Sequence, residues 1–311
     1  MPTAMINTHT VAGVTVLYHP TSEHISNLSS YVDQLGRLYV VDNSDAGNFA
    51  AIRSELSPRQ FDKITYMPNY GNRGIAWALN RGALTARKHG YTHLLTMDQD
   101  TGVPAGTVDA LKTVFERLRR EGKQIGLVAA HAVPPAFFPP DYRVPNPEAL
   151  YVDYPLIVPT SGNLICLGAH GHVGGFDEEY FIDDVDFEYC LKLKKSGYLA
   201  AWLPQLLVAH HWGEVTRHDF LFWKNWAASH HSPLRRYYIT RNRLYSLRRY
   251  KKDIPEMKRL YWRMTYEEWR GILLFEKQKI KKILSAIIGT VHFLADRKGS
   301  RYGGRKATVS G

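Results

Sequence analysis

In the first third of the chain each β-rich run stops at a polar or proline break, and a helical stretch separates it from a later run. Val11 to Tyr18 (VAGVTVLY) ends at His19-Pro20, and Arg37 to Val41 runs into Asp42-Asn43-Ser44-Asp45. Lys63 to Met67 closes on Pro68-Asn69, and His93 to Met97 ends in Asp98-Gln99-Asp100. Ile25 to Leu35 is weakly helical. Gly74 to Lys88 places Ile75, Leu79, Ala83 and Ala86 on one helical face, and Val108, Leu111, Phe115 and Leu118 do the same for the next helix. This alternation predicts a mostly parallel α/β sheet flanked by helices and joined by right-handed crossovers. Ligands of such sheets bind at the carboxyl ends of strands, so the clusters at 42–45, 69–73 and 98–100 are expected to line one crevice.

Downstream the pattern loosens. Val133 to Pro147 is proline-rich and reads as a loop, and Tyr151 to Leu167 is strand-like around Thr160-Ser161-Gly162-Asn163. An acidic stretch from Asp177 to Glu188 leads into a helix that runs to about Ser196, with Gly197 suited to its cap. Leu199 to Leu207 precedes His210-His211-Trp212-Gly213, and beyond Ser232 the chain reads as helical and basic. With 44% hydrophobic and 22% charged residues the chain is globular rather than disordered or fibrous. Its two cysteines, Cys166 and Cys190, exclude a disulfide or Cys-rich zinc scaffold and suit a reducing compartment. The start MPTAMINTHT has no basic and apolar run of a signal peptide, and no stretch reaches the roughly 18–20 apolar residues that span a bilayer. A cytoplasmic location is therefore expected.

Several constellations carry chemistry. Asp98 and Asp100, one residue apart at a strand end, suit a hard divalent cation, Mg²⁺ or Mn²⁺, that would neutralise a diphosphate; a solvated acidic turn is the plainer reading. Asp42-Asn43-Ser44 suits a nucleobase imide or a ribose hydroxyl, or a turn held by side-chain to backbone bonds. In Asn72-Arg73-Gly74-Ile75-Ala76-Trp77-Ala78-Leu79-Asn80, glycine lets the backbone approach a ligand and the helix start favours an anion, although Asn72 also suits a plain N-cap. Among Asp177, Glu178, Glu179, Asp183, Asp184, Asp186 and Glu188, one carboxylate can serve as general base on a hydroxyl, while all of them suit the first turn of a helix. His210 either completes the site of Asp98 and Asp100 or makes ordinary hydrogen bonds.

Charge is uneven. From His230 to Gly311 there are 21 Lys and Arg against 6 Asp and Glu, a net of +15, whereas the remainder has 19 against 23 and is mildly acidic. Arg235, Arg236, Arg241, Arg243, Arg248 and Arg249 interleave with aromatics, and Lys277, Lys279, Lys281 and Lys282 follow Trp262 and Trp269. Such helices suit an anionic membrane face, with nucleic acid as the rival partner and a solvated helical face as the plain alternative.

Taken in order, the motifs V-V-D-N-S, N-x-G-I-A-x-A-x-N-x-G, D-Q-D-T, T-S-G-N, G-G-F-D-E, F-I-D-x-V-D-x-E-x-C-L-K and H-x-x-G resemble glycosyltransferase family 2, and within it the bacterial rhamnosyltransferases. The similarity runs from about Val11 to about Asn242. It implies a GT-A fold and inverting transfer from a nucleotide sugar. By position Asp42 would read the base and Asn72 would sit near the donor, with Tyr18, Asn80, Asp98 and Gln99 also on the donor side. Asp98 and Asp100 would hold the metal, with His210 as a possible third ligand. Asp186 would be the general base, with Asp183 and Asp184 as rivals, and Asp184 and Trp212 are candidates for the acceptor side. The wider family often has Glu-Asp where this chain has Val185-Asp186, and Lys192 stands where Arg is frequent. The expected division is a GT-A domain over 1–230 and a basic helical extension over 231–311 that meets a membrane surface. The expected activity is transfer of L-rhamnose from dTDP-L-rhamnose to a lipid-linked glycan or other polyprenyl-linked acceptor at the inner face of the cell membrane. A UDP-sugar such as UDP-galactofuranose is the alternative donor, a non-catalytic anionic-surface or nucleic-acid-binding protein the alternative class, and for the transferase no nucleic acid partner is expected.

Overall fold

The computed structural model of the chain describes residues 11–211, 213, 215–220 and 223–301. In chain order its elements are β1 (Val11–Leu17), α1 (Ser22–Ser26), α2 (Ser29–Val32), β2 (Arg37–Asp42), α3 (Phe49–Glu55), α4 (Pro58–Phe61), β3 (Ile64–Pro68), α5 (Ile75–Lys88), β4 (His93–Asp98), β5 (Thr101–Gly102), α6 (Thr107–Arg120) and β6 (Ile125–Val133). They continue with β7 (Asn163–Cys166), α7 (Leu167–Val173), α8 (Val185–Lys195), β8 (Leu199–His210), β9 (Thr216–Phe220), β10 (Trp223–Ala228), α9 (Pro233–Tyr250), α10 (Glu256–Leu274) and α11 (Lys279–Leu294).

The main sheet runs β3-β2-β1-β4-β7-β6-β8-β5, and β9 with β10 forms a separate antiparallel pair. The first four strands are mutually parallel, as their alternation with helices predicts. Both faces of these strands are covered, which is why they are apolar throughout rather than alternating with polar residues. Leu38 and Val40 of β2 face a core shared with α2 and α6, while Tyr39 and Val41 face one shared with α5, α7 and α8. Helix α5 lies close on β1 because its inner face is small: Ala76, Ala78, Gly82, Ala83 and Ala86. A methyl group at Gly82 would lie 2.3 Å from the Val14 side chain.

Two elements depart from the sequence-based expectation, and a third, β6, carried no reading in the sequence. Ile25 to Leu35 is two short helical turns rather than one helix. Strand β6 (IGLVAAHAV) has alanines of low β-propensity and forms because it is sandwiched between β7 and β8, so tertiary context overrides its composition. Only Asn163–Cys166 of the 151–167 stretch is a strand, and it runs antiparallel between β4 and β6 after the long connection from Val133.

Helices α9 and α11 pack on one another, and α9 enters the body. Arg236, Tyr237, Tyr238, Arg241 and Asn242 are all at most 2% exposed. The arginines of α9, expected to face an anionic surface, are engaged internally instead. Arg235 pairs with Asp183, Arg236 and Arg243 with Glu268, Arg248 with Asp296, and Arg249 with Asp177 and Glu188, while Arg241 donates to the carbonyls of Glu179 and Gly299. Among the described residues no helix is long and apolar enough to cross a membrane.

Candidate active site

The strand-end clusters meet at one edge of the sheet, as expected. The Gln99 side chain accepts from the Tyr18 amide at 2.8 Å, and the His19 amide donates to Ser44 Oγ at 2.8 Å. Asn69 Nδ2 donates to Asn43 Oδ1 at 2.6 Å, and Asn43 Nδ2 donates to the Gly74 carbonyl. The ends of β1, β2, β3 and β4 are thus stitched into one rim. The Tyr18 ring is about half exposed on it.

Asp98 closes β4 and Asp100 lies two residues on. His210, the last residue of β8, reaches them because Thr101 of β5 pairs with it across the sheet edge. Its Nδ1 is 2.7 Å from Thr101 Oγ1 and 3.2 Å from Asp100 Oδ1. Ligand atoms of Asp98, Asp100 and His210 all lie within 4.8 Å of one another. Burial pushes the Asp98 carboxyl up to about 6, with His210 opposing the rise and Asp100 adding to it. Burial lowers His210, but the hydrogen bond to Asp100 and the charges of both carboxylates outweigh it and raise it. Two hard oxygen donors, one imidazole and a carboxylate destabilised by burial suit a divalent cation, which would relieve that strain.

The segment Thr160-Ser161 joins this centre to the acidic cluster. The Asp98 amide donates to Ser161 Oγ at 3.1 Å, and Ser161 Oγ is 2.6 Å from Thr101 Oγ1. One residue earlier, the Thr160 amide donates to Asp186 Oδ2 at 3.0 Å. Consecutive residues therefore hold Asp98 and Asp186 on the same side of the crevice. Ser161 and Thr101 carried no assigned role from sequence; the signal was their place in the T-S-G-N and D-Q-D-T motifs.

The structure sorts the seven carboxylates. Asp177, Glu179 and Glu188 pair with Arg249, Lys298 and Lys192, and Glu178 accepts from Asn80. Asp183 takes Arg235 at 2.5 Å, and Asp184 is buried 4.0 Å from Arg243. Asp186 has no ion pair among the described residues. Its oxygens are held by the amides of Thr160 and Phe187, and burial, with the Asp98 charge adding, pushes it up to about 6. Asp184, a candidate for the acceptor side, points inward; burial raises it to about 7 against the pull of Arg243. Trp212, the other acceptor-side candidate, lies outside the described residues.

Other donor-side candidates separate. Asp42 is 1% exposed, and its carboxylate accepts from Tyr66 Oη at 2.6 Å, Asn48 Nδ2 at 2.9 Å and the Ser44 amide at 3.0 Å. Burial works against its charge, but these hydrogen bonds outweigh it and hold the carboxyl below its usual range. Asp42 thus shapes the 42–48 loop, which is the turn reading of that motif. Asn72 is exposed and accepts from the Gly74 amide at 2.9 Å, a turn two residues ahead of α5; the N-cap is Gly74, so the plain N-cap reading of Asn72 does not hold. Asn80 is buried away from the rim. Its amide is filled by the Phe176 main chain, Glu178 and His170, so it ties α5 to the 170–178 segment and has no capacity left for a ligand.

The loop before α8 is strained: Phe181, Asp183 and Asp184 have φ of 64°, 62° and 59°. Asn242 of α9 holds it, donating to the carbonyls of Tyr180, Ile182 and Asp183 at 2.8–2.9 Å. From the other side the Ile75 amide donates to the Phe181 carbonyl at 2.8 Å. Gly74, at φ +88°, leaves room for that contact, since a Cβ there would lie 2.7 Å from the Phe181 oxygen. Gly74→Ala is therefore expected to cost about 2–4 kcal/mol, from the left-handed backbone and the clash together, and to lower the melting temperature by several degrees in a thermal scan.

Residues 27–158 match the family Glycosyl transferase family 2. The chain is 25% identical over 308 residues to dTDP-rhamnosyl transferase RfbF of Shigella flexneri, covering 95% of this chain and 98% of that one. It is 39% identical over 56 residues, 18% of each chain, to N-acetylglucosaminyl-diphospho-decaprenol L-rhamnosyltransferase of Mycobacterium tuberculosis. Its fold is similar to that of GalNAc-T7 solved with UDP, GalNAc and Mn²⁺, at a TM-score of 0.52 and 14% identity over 65% of this chain and 43% of that one. The sheet, the motifs and the full-length relative agree: this is a glycosyltransferase with the GT-A fold, with a family 2 match over residues 27–158, and it resembles the bacterial rhamnosyltransferases.

Proposed function

We propose that the chain transfers L-rhamnose from dTDP-L-rhamnose, with inversion, to a hydroxyl of a lipid-linked glycan in cell-surface polysaccharide synthesis. The observation that carries the mechanism is Asp186, the carboxylate of its cluster without a cation or side-chain partner among the described residues, tied through Thr160-Ser161 to Asp98. The donor rests on the full-length likeness to a dTDP-rhamnosyl transferase, and the lipid-linked acceptor on the shorter likeness to an enzyme of that acceptor class.

In this reading Asp98, Asp100 and His210 would hold Mg²⁺ or Mn²⁺, which when bound neutralises charge on the donor diphosphate. Tyr18, Gln99 and Asn72 line the donor side, and Asp42 positions the loop that meets the base. Asp186 takes the proton of the acceptor hydroxyl as its oxygen attacks the anomeric carbon. The bond from that carbon to the diphosphate oxygen breaks, and the electron pair leaves with the nucleotide. A single displacement inverts the centre. Arg235, paired with Asp183 and within electrostatic reach of Asp186 and Asp98, places one fixed positive charge beside these carboxylates.

Residues 1–230 carry the transferase chemistry and 231–311 the contact with the inner face of the membrane, with α9 also bracing the loop before Asp186. Support for that contact comes from α11. Ile280, Leu284, Ile287, Val291 and Leu294 form an exposed apolar stripe at helical spacing, with exposed Lys277, Lys279 and Lys281 at its start. The protein is expected to pellet with phosphatidylglycerol vesicles at low salt, and Leu284→Glu/Ile287→Glu to weaken this about tenfold or more. Unchanged pelleting would discard this face.

The donor assignment is tested by thermal shift with nucleotide sugars, each with Mg²⁺ or Mn²⁺ and then with chelator. A chelator-sensitive rise with dTDP-rhamnose supports it. A rise with UDP-sugars alone replaces the donor, and no rise with any of them removes the transfer mechanism.

A further inference from the structure

A groove of about 850 Å³ runs between the 155–157 segment and the outward face of α10, and the transfer mechanism above makes no use of it. Its walls are apolar, formed by Leu156, Ile157, Leu260 and Met264. Trp262, 75% exposed, and Tyr266, 59% exposed, stand over it. Large aromatic faces left in water on a charged helix are suited to covering an apolar ligand. Two cations, Arg259 and Arg263, also line it. Every arginine of α9 between 235 and 249 is engaged with a carboxylate, side chain or carbonyl, whereas Arg259 and Arg263 are exposed with no hydrogen bond or ion pair among the described residues. Glu256 on the rim is neutralised by Lys194 at 2.8 Å. The groove is thus an apolar trough with unspent positive charge.

Its position links it to the site. Ile157 is three residues, at most about 10 Å of chain, from Thr160, whose amide holds Asp186. The opposite face of α10 carries Tyr261 and Glu268 against Arg243, behind Asp184. One helix therefore backs the acidic loop with one face and lines the groove with the other.

We propose that this groove binds the carrier lipid of the acceptor, an isoprenoid diphosphate: Arg259 and Arg263 take the diphosphate, and Trp262, Tyr266 and the apolar walls take the first isoprene units. This rests on the lipid-linked acceptor proposed above. The pairing of the chemistries is what favours it, since a plain apolar partner would leave both guanidinium groups unmatched and a plain polyanion would leave the aromatic wall bare.

The test uses the full chain and isothermal titration with farnesyl diphosphate, farnesol and inorganic pyrophosphate. Farnesyl diphosphate is expected to bind about tenfold or more tighter than either fragment, and Trp262→Ala and Arg259→Glu/Arg263→Glu each to weaken it about tenfold or more. These side chains are exposed, and an unchanged donor-induced thermal shift shows that the variants are folded and that the transfer site is intact. Equal binding by the variants, or binding of pyrophosphate alone, overturns the proposal. So does loss of vesicle binding or of self-association in the variants without loss of farnesyl diphosphate binding, which assigns the groove to a membrane surface or to a second copy. A donor shift without farnesyl diphosphate binding removes only the lipid site. Groove-dependent lipid binding without any donor shift removes the transfer reading and leaves the lipid site standing.

Discussion

Asp186→Asn should reduce kcat on the order of 10²- to 10⁴-fold while leaving the donor-induced thermal shift in place, because a general base acts on the acceptor proton and not on donor binding. The substitution is nearly isosteric. Asp186 accepts from the Thr160 and Phe187 amides, and an asparagine has one oxygen to serve both, so a stability cost of about 1 kcal/mol is expected beside the much larger kinetic effect. The wild-type rate should also fall as pH drops. Burial pushes the Asp186 carboxyl up to about 6, and the charge on Asp98 adds to that rise. The base works only when ionised, so kcat should be constant above this region and decline about tenfold per pH unit below it. Because Asp98 contributes, the decline should move to lower pH when a divalent cation neutralises it. A flat profile with full activity in Asp186→Asn would transfer the role elsewhere. Asp183 and Asp184 are poor successors, since both face arginines.

Asp98→Asn carries the second large effect. If Asp98, Asp100 and His210 hold a divalent ion against the diphosphate, the variant should lose the chelator-sensitive part of the donor-induced shift, and its kcat should fall on the order of 10²- to 10³-fold. The metal-free protein should not be destabilised. Burial drives the Asp98 carboxyl toward protonation, so a neutral amide removes a cost rather than a support, as is common where a site is organised for function. Differential scanning of the metal-free and metal-loaded forms separates the two effects. A loss of stability without metal, or an unchanged metal-dependent shift, would show that Asp98 is a structural residue.

The sheet and the polar rim at its edge were legible in the sequence because they depend on short-range pattern. Strands that alternate with helices must lie parallel, and parallel strands deliver their carboxyl-end residues to one edge. That logic brought Asp42, Asn72, Asp98 and Asp100 near one another without any knowledge of contacts. It failed where local signal and tertiary demand differ. Strand β6 is alanine-rich and is extended only because two strands flank it. Asn80 sits in a motif that reads as donor-binding, yet its amide is consumed by Phe176, Glu178 and His170. The arginines of α9 read as a membrane-facing array, yet each has a partner within the chain, and Arg249, Arg236 and Arg243 neutralise the buried or largely buried Glu188 and Glu268.

By itself the sequence determined the α/β order, the placement of Asp98 and Asp100 at a strand end, and the surplus of positive charge after residue 230. Only the tertiary structure decided which carboxylate lacks an ion pair among the described residues and which side chain joins Asp98 and Asp100 at the strand end. The partners come from far along the chain: Arg235 reaches Asp183 across 52 residues, Arg249 reaches Asp177 across 72, and His210 reaches Thr101 across 109. Seven acidic side chains within twelve residues have equivalent local chemistry. What distinguishes Asp186 is that folding brings it two amides and, among the described residues, no ion pair, a selection made by packing, which local pattern does not encode.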